Sequence, residues 1–277
     1  MLINEQHTEF TLFLDTNPVA TSDTLLLFMQ NEVLLRTAPP ADRLPLWGEI
    51  ADALADITPL HAFTQENRRF FIAAAGTDTR VPPGFAFEGV RAFRSLLPAA
   101  DGALLNAAYH LAVWYRQHRF CGACGSPLAP APFERALACG NCGLTIYPSI
   151  LPAVIVAVTD GDRLLLARNA HGTFRHHSLI AGYVEVGETA EQAVRREVLE
   201  EVGLHVKNIR YIASQPWGFS QSLMLGFAAE LDGPAEITLQ ESELSDAHWF
   251  PREQVPGNDS TASIAFDLME RFRRGEL

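Results

Sequence analysis

Three glutamates, Glu197, Glu200 and Glu201, have the spacing in this sequence that is best suited to chemistry. In a helix, residues three and four positions apart are neighbours, so these carboxylates would project from one side. Like charges this close raise each other's pKa, and a divalent cation between them relieves the repulsion. Mg²⁺ and Mn²⁺ prefer carboxylate oxygens and share them with substrate phosphates. The spacing suits a divalent-metal site, but for a glutamate cluster taken alone a solvated acidic helix face is the commoner outcome.

The four cysteines of the chain form a second group with metal-binding spacing. Cys121 and Cys124 are separated by two residues, Cys139 and Cys142 repeat this spacing, and each pair lies in a CGxCG sequence. Two such knuckles present four thiolates to one Zn²⁺ ion and leave no position free for water or substrate. Disulfides or a redox-active Cys-x-x-Cys are the alternatives. A reducing compartment disfavours the first and the duplicated knuckle disfavours the second, so we predict one structural zinc ion per chain.

The three glutamates lie in a segment whose pattern predicts a helix between Thr189 and Gly203. Thr189 and Gln192 have the spacing of a capping box at the start of a helix. Gly203 suits the left-handed conformation that commonly ends one. The apolar residues that predict a buried face recur every four positions, at Ala190, Val194, Val198 and Val202.

The stretch from Gly182 to Leu204, GYVEVGETAEQAVRREVLEEVGL, fills every fixed position of the pattern GX5EX7REUXEEXGU, in which U is aliphatic. It therefore resembles the Nudix box of the Nudix hydrolase superfamily. The resemblance implies an α/β/α sandwich and the hydrolysis of a nucleoside diphosphate linked to another group. It also implies two or three Mg²⁺ or Mn²⁺ ions, which would neutralise the substrate phosphates and lower the pKa of a water molecule.

The sequence on either side of the box predicts the strands of the same domain. Residues 154–158 and 164–166 are apolar runs joined by the turn signal Asp160-Gly161. Residues 179–181 lead into the box, and residues 206–213 predict a strand after the helix. The next stretch, SQPWGFSQS at 214–222, predicts a rigid loop and not a strand. Its aromatic faces suit a nucleotide base, with a loop that packs in the core as the alternative.

This loop resembles SQPWPFPxS, the signature of the NADH pyrophosphatase family of Nudix enzymes. It departs from the signature at Gly218 and Ser220, where the family has prolines, so we expect a more flexible loop. The resemblance implies hydrolysis of the pyrophosphate bond of NADH and NAD⁺ to AMP and reduced or oxidised nicotinamide mononucleotide (NMNH or NMN). Removal of NAD caps from RNA 5′ ends is the same reaction on a larger substrate. The alternatives are a hydrolase of another nucleoside diphosphate derivative, such as ADP-ribose or a dinucleoside polyphosphate, and a non-catalytic nucleotide-sensing module.

Position by position, the resemblance implies that Glu197, Glu200 and Glu201 are catalytic and bind the divalent metal. The backbone carbonyl of Ala181 and the carboxylate of Glu243 would be further metal ligands. The general base is left open between Glu200 and Glu201.

We expect Glu188 and Arg196 to form an ion pair that braces the junction between the glycine-rich loop and the helix.

The resemblance also implies a set of substrate-binding residues. The substrate-binding positions are Gln215, Pro216, Trp217, Gly218, Phe219, Ser220, Gln221, Ser222, Tyr147, Glu134, Tyr183, Arg91 and Ala265.

The length of 277 residues allows more than one domain, and we predict an α+β chain in three parts. Residues 1–95 form a small N-terminal α+β domain without a catalytic pattern. Residues 96–147 form a connecting helix and the zinc ribbon, and residues 148–277 form the Nudix domain. Within the first two parts, residues 25–28 and 33–35 predict a hairpin and residues 103–118 predict a helix.

The formal net charge of −12 argues against broad nucleic-acid binding, which needs a basic surface, but allows one anionic ligand at a metal site. The sequence has no apolar run of about 18 residues, and its N-terminus has neither the basic nor the apolar region of a secretory signal. We therefore expect no membrane span and a cytoplasmic location. The family resemblance implies a homodimer that shares its active sites.

Overall fold

The computed structural model of the protein describes residues 11, 14–38, 43–54, 57–91, 99–171, 176–257 and 263–277. These residues form two compact units. One, the Nudix unit, comprises residues 150–217 and 221–277, and the other, the N-terminal unit, comprises the described residues up to 149 together with 218–220. The predicted boundary at residues 95 and 96 lies outside the described residues, so the division into three domains stays a prediction.

The N-terminal unit contains a five-stranded sheet with the strand order β3-β4-β1-β2-β5. Strand β1 pairs antiparallel with β2 and parallel with β4. Its elements are β1 (Thr24–Met29), β2 (Glu32–Arg36), α1 (Trp47–Ile50), a 3₁₀ turn (Ala51–Ala53), β3 (Leu60–Gln65), β4 (Arg68–Ala74), β5 (Phe85–Gly89) and α2 (Ala99–Gln117).

The strands of this sheet have apolar residues at successive positions, so both faces of the sheet are apolar. A helix covers each face. On one face, Leu26 and Phe28 pack with the buried side of α2, and on the other face Leu25 and Leu27 pack with Ile50 of α1. The predicted hairpin is confirmed, with Gln30 at a positive φ of 53° in its turn. The predicted helix is also confirmed and is longer than expected, since α2 begins at residue 99.

The zinc ribbon of the N-terminal unit is a small antiparallel sheet of β6 (Leu128–Pro130), β7 (Leu137–Cys139) and β8 (Thr145–Ile146). Arg135, in the β6–β7 connection, donates hydrogen bonds to the backbone carbonyls of His61 and Ala62 on β3. The ribbon is therefore attached to the five-stranded sheet through a half-buried guanidinium group.

The Nudix unit is built on a six-stranded mixed sheet. The strand order is β12-β13-β9-β10-β14, β11 pairs with β9, and β13 runs parallel to β9. Its elements are β9 (Leu151–Asp160), β10 (Arg163–Asn169), β11 (Ile180–Tyr183), α3 (Ala190–Val202), β12 (Val206–Trp217), β13 (Ser222–Leu231), β14 (Leu244–Pro251), a 3₁₀ turn (Arg252–Gln254) and α4 (Ile264–Arg273).

Alternating residues of β9 face the two helices on opposite sides of this sheet. Val154, Val156 and Val158 pack in the core under α3, whereas Ile155 and Ala157 pack in the core under α4. This alternation is the period-two pattern of a strand buried on both faces. The predicted α/β/α sandwich is therefore confirmed.

The termini of α3 follow the sequence prediction. The Thr189 hydroxyl accepts a hydrogen bond from the Gln192 N–H at 3.2 Å, and the Gln192 carboxamide accepts one from the Thr189 N–H at 2.8 Å. Gly203 ends the helix with φ 70°, a conformation that costs a residue with a Cβ more than it costs glycine. Val194, Val198 and Val202 are fully buried, and Ala190 packs at the margin of the same core.

The prediction of a loop across residues 214–222 is wrong for most of that stretch. Residues 214–217 continue β12 and Ser222 begins β13, so only four residues lie between the strands: Gly218–Ser220 in a 3₁₀ turn and Gln221 with a φ of 56°. Pro216 lies within β12 and pairs opposite Leu223. Strand β12 is at the edge of the sheet, and an edge strand tolerates a proline because half of its N–H groups need no partner strand.

Within the described ranges, no helix is long and apolar enough to cross a membrane.

Candidate active site and metal centre

Helix α3 carries the three glutamates of the predicted metal site. Glu197 and Glu201 lie on the buried side of the helix, with exposed fractions of only 9% and 6%, whereas Glu200 is exposed. One turn of helix separates the two buried carboxylates, so both lie on the face that packs towards the sheet. Buried carboxylates are rare unless they are paired or bind a cation.

Strand β11 brings the beginning of the Nudix box against Glu197. A Cβ atom on Gly182 would overlap the Glu197 carboxylate, so a larger residue there would force this carboxylate out of its present position. Ala181, whose carbonyl was predicted to bind metal, precedes Gly182 on the same strand and pairs with Ile155 of β9. The sheet therefore fixes the backbone at this end of the site.

Arg196 connects the loop before α3 to the glutamates. Its guanidinium binds both carboxylate oxygens of Glu188, at 2.7 and 3.0 Å, which confirms the predicted pair. It also binds Glu197 at 2.8 Å and Glu200 at 3.1 Å, and donates to the Tyr183 carbonyl at 2.8 Å. The hydrogen bond to Arg196 lowers the pKa of Glu188, and the same bond raises the pKa of Arg196. Arg196 thus remains charged and offsets part of the negative charge.

Burial and the neighbouring carboxylates together disfavour the charged form of Glu201. Burial, and then the charges of Glu197, Glu243 and Glu200, raise the pKa of Glu201 to about 8. Burial also raises the pKa of Glu197, although its hydrogen bond with Arg196 opposes this effect. Glu243 lies just before β14 and is exposed. These carboxylates are oxygen ligands of the kind that a hard divalent cation takes, although no three of them have ligand oxygens within 4.8 Å of one another.

The four cysteines meet the geometric requirement for a metal site. Their sulfur atoms all lie within 4.8 Å of one another, and in the described part of the chain no other group of three or more His, Cys, Asp or Glu ligand atoms does so. Gly125 and Gly143 follow the two pairs with φ of 74° and 77°, and each donates to the carbonyl of the first cysteine of its pair. All four cysteines are free thiols, so the predicted disulfide alternative is not adopted. Four thiolates in this arrangement fit Zn²⁺.

Several predicted substrate-binding residues meet within the Nudix unit. Gln215 is buried, and its carboxamide oxygen accepts a hydrogen bond from the Ile264 N–H at the start of α4, at 2.7 Å. Ala265 is the next residue of that helix. Ser222 is buried and its hydroxyl lies 3.5 Å from the hydroxyl of Tyr183, whose ring is half exposed. Pro216 is exposed, and Trp217 and Gln221 are partly buried.

The other predicted substrate-binding residues lie in the N-terminal unit. Gly218 is buried, Phe219 is partly buried and Ser220 is exposed in the turn that follows β12. The guanidinium of Arg91 lies 5.8 Å from the centre of the Phe219 ring. On the ribbon, the Tyr147 hydroxyl donates to the Glu134 carboxylate at 3.1 Å, which raises the pKa of Tyr147. The structure thus forms two pairs, Arg91 with Phe219 and Tyr147 with Glu134.

Comparison with known proteins matches both metal-binding patterns to families. The NUDIX domain matches residues 150–272, and the NADH pyrophosphatase zinc ribbon domain matches residues 116–147. The NAD-capped RNA hydrolase NudC of Stutzerimonas stutzeri strain A1501 is 46% identical over 190 residues, which are 69% of this chain and 68% of that protein. The chain belongs to the NADH pyrophosphatase family of Nudix hydrolases.

Other comparisons agree with the assignment to Nudix hydrolases. The NAD-capped RNA hydrolase NudC of Pseudomonas putida strain KT2440 is 43% identical over 190 residues, with 69% of this chain and 68% of that protein covered. The crystal structure of a NUDIX hydrolase from Nitrosomonas europaea has a TM-score of 0.50 at 24% identity, covering 57% of this chain and 92% of that one. At this identity the structural likeness concerns the fold alone. The four cysteines lie inside the matched zinc ribbon, which supports a structural zinc ion in this Nudix hydrolase.

Sequence analysis missed one polar residue beside the candidate substrate segment. Asn106 lies in the middle of α2, is almost fully buried, and accepts a hydrogen bond from the Gly218 N–H at 2.9 Å. The two residues are 112 positions apart, and a single Asn in an apolar helix has no spacing signal that could have indicated this contact.

Proposed function

We propose that this Nudix hydrolase cleaves the pyrophosphate bond of NADH and NAD⁺, giving AMP with NMNH or NMN, and cleaves the same bond in the NAD cap of RNA 5′ ends. The observation that carries the proposal is the joint occurrence of a complete Nudix box and the family's zinc ribbon in a chain 46% identical to an NAD-capped RNA hydrolase. The burial of Glu197 and Glu201 on one face of α3 supports a catalytic use of that box.

We further propose that Mg²⁺ or Mn²⁺ is held by Glu197, Glu200, Glu201 and Glu243 with the carbonyl of Ala181. When bound, these ions supply charge neutralisation at the phosphates and activation of a water molecule. The carboxylate donor set and the raised pKa of Glu201 support this assignment, because a cation would replace the proton that Glu201 otherwise holds near neutral pH. Arg196 orients Glu197 and Glu200 from the side and keeps the loop at Glu188 attached to the helix.

For the substrate, we propose that exposed aromatic faces receive a base and that polar groups near them set its orientation. Tyr183 presents a half-exposed ring, and its hydroxyl is held beside that of Ser222. Gln215 stays a proposed substrate contact, and its side-chain oxygen also links β12 to the first N–H of α4. Pro216, Gln221, Ala265 and the residues of the N-terminal unit remain proposed contacts.

Two further properties belong to the proposal. A homodimer with shared active sites is supported by the family assignment, and it would give the N-terminal unit a role at the site. A cytoplasmic location is supported by four free cysteines, which a reducing compartment maintains as zinc ligands.

The test of the proposed reaction is mass spectrometry of the products after incubation with NADH, NAD⁺ and ADP-ribose in Mn²⁺. We expect NADH to be converted fastest, to AMP and NMNH. Glu201→Gln should lower turnover by at least about a hundredfold, because it removes a charge from the site without changing its shape. Glu191→Gln is the matched control, since Glu191 is exposed on the same helix and should leave turnover unchanged. ADP-ribose as the preferred substrate would overturn the assignment to NADH, and no cleavage of any substrate would favour the nucleotide-sensing module.

Activity on RNA is tested by comparing NAD-capped RNA with free NADH over a range of salt concentrations. The net charge of −12 predicts few phosphate contacts beyond the cap, so cleavage of both substrates should fall to a similar extent with salt. A steep fall for capped RNA alone would contradict this expectation and indicate contacts along the RNA chain.

A further inference from the structure

The turn in the middle of the predicted substrate segment is anchored to helix α2. The N–H of Gly218 donates to the side-chain oxygen of Asn106 at 2.9 Å, and both residues are buried. A buried backbone N–H without a partner is costly, so this carboxamide satisfies a requirement that the turn itself creates.

The contact also explains why glycine stands at position 218. A Cβ atom there would overlap the backbone carbonyl oxygen of Asn106, so a larger residue would displace the turn from the helix. A proline would in addition lack the N–H that Asn106 accepts. Gly218 and Asn106 are therefore matched to each other in shape and in hydrogen bonding.

The next residue of the turn is held by the same side of α2. The Phe219 ring lies 6.1 Å from the ring of Tyr109, three positions after Asn106, and the Arg91 guanidinium lies 5.8 Å from its centre. Tyr109 is itself fixed, because its hydroxyl donates to the Asn31 side chain at 2.7 Å and its ring contacts Phe28. Gly218 and Phe219 thus contact Asn106 and Tyr109, respectively. Asn106 and Tyr109 are three positions apart and therefore lie on one face of α2.

We propose that Asn106 is a positioning residue for the substrate-binding segment of residues 215–222. It fixes the backbone of the turn within this segment by accepting the hydrogen bond from the Gly218 N–H. This inference rests on the proposed function, because that function makes residues 215–222 a substrate-binding segment. Asn106 acts through the turn and is not a catalytic residue.

The test is Asn106→Leu, which keeps a side chain of similar size but removes the acceptor. Hydrogen–deuterium exchange followed by mass spectrometry reports the amides of residues 215–222, and steady-state kinetics with NADH reports KM and kcat. We expect exchange in this peptide to accelerate at least about tenfold, KM to rise about tenfold, and kcat to change less than about threefold, because a lost buried hydrogen bond frees the segment but leaves the glutamates in place. Asn106→Asp keeps an oxygen acceptor and should restore slow exchange and the original KM.

Val113→Ala is the matched control. Val113 is buried in the same helix, seven positions or about 10 Å further along, so its truncation destabilises the same unit without removing the bond to Gly218. It should leave exchange in 215–222 and KM unchanged. An equal rise in KM in Val113→Ala would overturn the proposal, because general destabilisation would then explain the effect.

The outcomes separate this inference from the proposed function. Unchanged exchange or unchanged KM in Asn106→Leu overturns the positioning role, whichever substrate the enzyme prefers. Failure to cleave NADH overturns the proposed function, while the exchange measurement still tests the anchor. Should Asn106→Leu fail to fold, Gly218→Ala perturbs the same contact through its Cβ and should also raise KM. An unchanged KM in a folded Gly218→Ala protein would overturn the proposal.

Discussion

The most informative substitution in this protein is Glu201→Gln, and the quantity to measure is the pH dependence of the free energy of unfolding. The measurement requires protein from which divalent cations other than the zinc of the ribbon have been removed. Burial, and then the charges of neighbouring glutamates, raise the pKa of Glu201 from 4.5 to about 8. A carboxyl whose pKa is higher in the folded state binds its proton more tightly when folded. Its contribution to stability is therefore complete below about pH 4.5 and is lost as the pH rises through 8.

The expected size follows from the shift in pKa. Each pKa unit corresponds to about 1.4 kcal/mol, so the full shift is equivalent to about 5 kcal/mol at most. Between pH 5.5 and 7.5, the contribution of Glu201 to the free energy of unfolding should fall by roughly 2 to 3 kcal/mol. Glutamine has no proton to lose, so this part of the pH dependence should be absent in Glu201→Gln.

Urea unfolding at pH 5.5 and 7.5, followed by tryptophan fluorescence and circular dichroism, measures this difference. Glu191→Gln, on the exposed side of α3, should keep the pH dependence of the unchanged protein. Adding Mg²⁺ at pH 7.5 should stabilise the unchanged protein but not Glu201→Gln, because ligand binding to the folded state raises its stability. The same pH dependence in Glu201→Gln and the unchanged protein, within about 0.5 kcal/mol, would refute the assignment of a buried protonated carboxyl.

Three further substitutions test other parts of the structure. Gly182→Ala places a Cβ against the Glu197 carboxylate and should lower turnover at least about a hundredfold in kinetic assays. Circular dichroism should show that the fold is retained. Full activity would contradict the close approach of Glu197 to Gly182. Cys139→Ser removes one of four thiolates, and we expect loss of bound zinc by metal analysis and a lower Tm of the N-terminal unit. Gly203→Ala forces a Cβ into the left-handed conformation at the end of α3 and to 2.9 Å from the Thr238 Cβ, so it should cost at least about 1 kcal/mol in urea unfolding. Gly122→Ala, at negative φ in open space, should cost much less.

The parts of the site that could be predicted from the sequence are those built by local contacts. The capping box of α3, its left-handed end at Gly203 and the pairing of Glu188 with Arg196 all involve residues within one or two turns of each other. Each of the two cysteine pairs likewise lies in a local turn. The four sulfur atoms come within 4.8 Å of one another once these two turns meet. For such features, residue type and spacing determine the geometry.

Features that depend on distant segments were predicted less well. Pro216 indicated a loop, because the sequence does not reveal that β12 is an edge strand. Nothing in the sequence indicated that the side-chain oxygen of Gln215 accepts a hydrogen bond from the N–H of Ile264, 49 positions further along the chain. The role of Asn106 was not predicted at all, since its partner is 112 residues away.

The sequence by itself determined the family, the two metal-binding patterns and the helix that carries the glutamates, because each depends on residues that are close along the chain. Only the tertiary structure decided which glutamates are buried, how far the pKa of Glu201 rises, and which helix anchors the turn at Gly218. These properties depend on desolvation and on contacts across the sheet, which arise when distant segments pack together. Spacing along the chain therefore indicated the chemistry that the residues suit. Packing determined the charge state and the position of each of these residues.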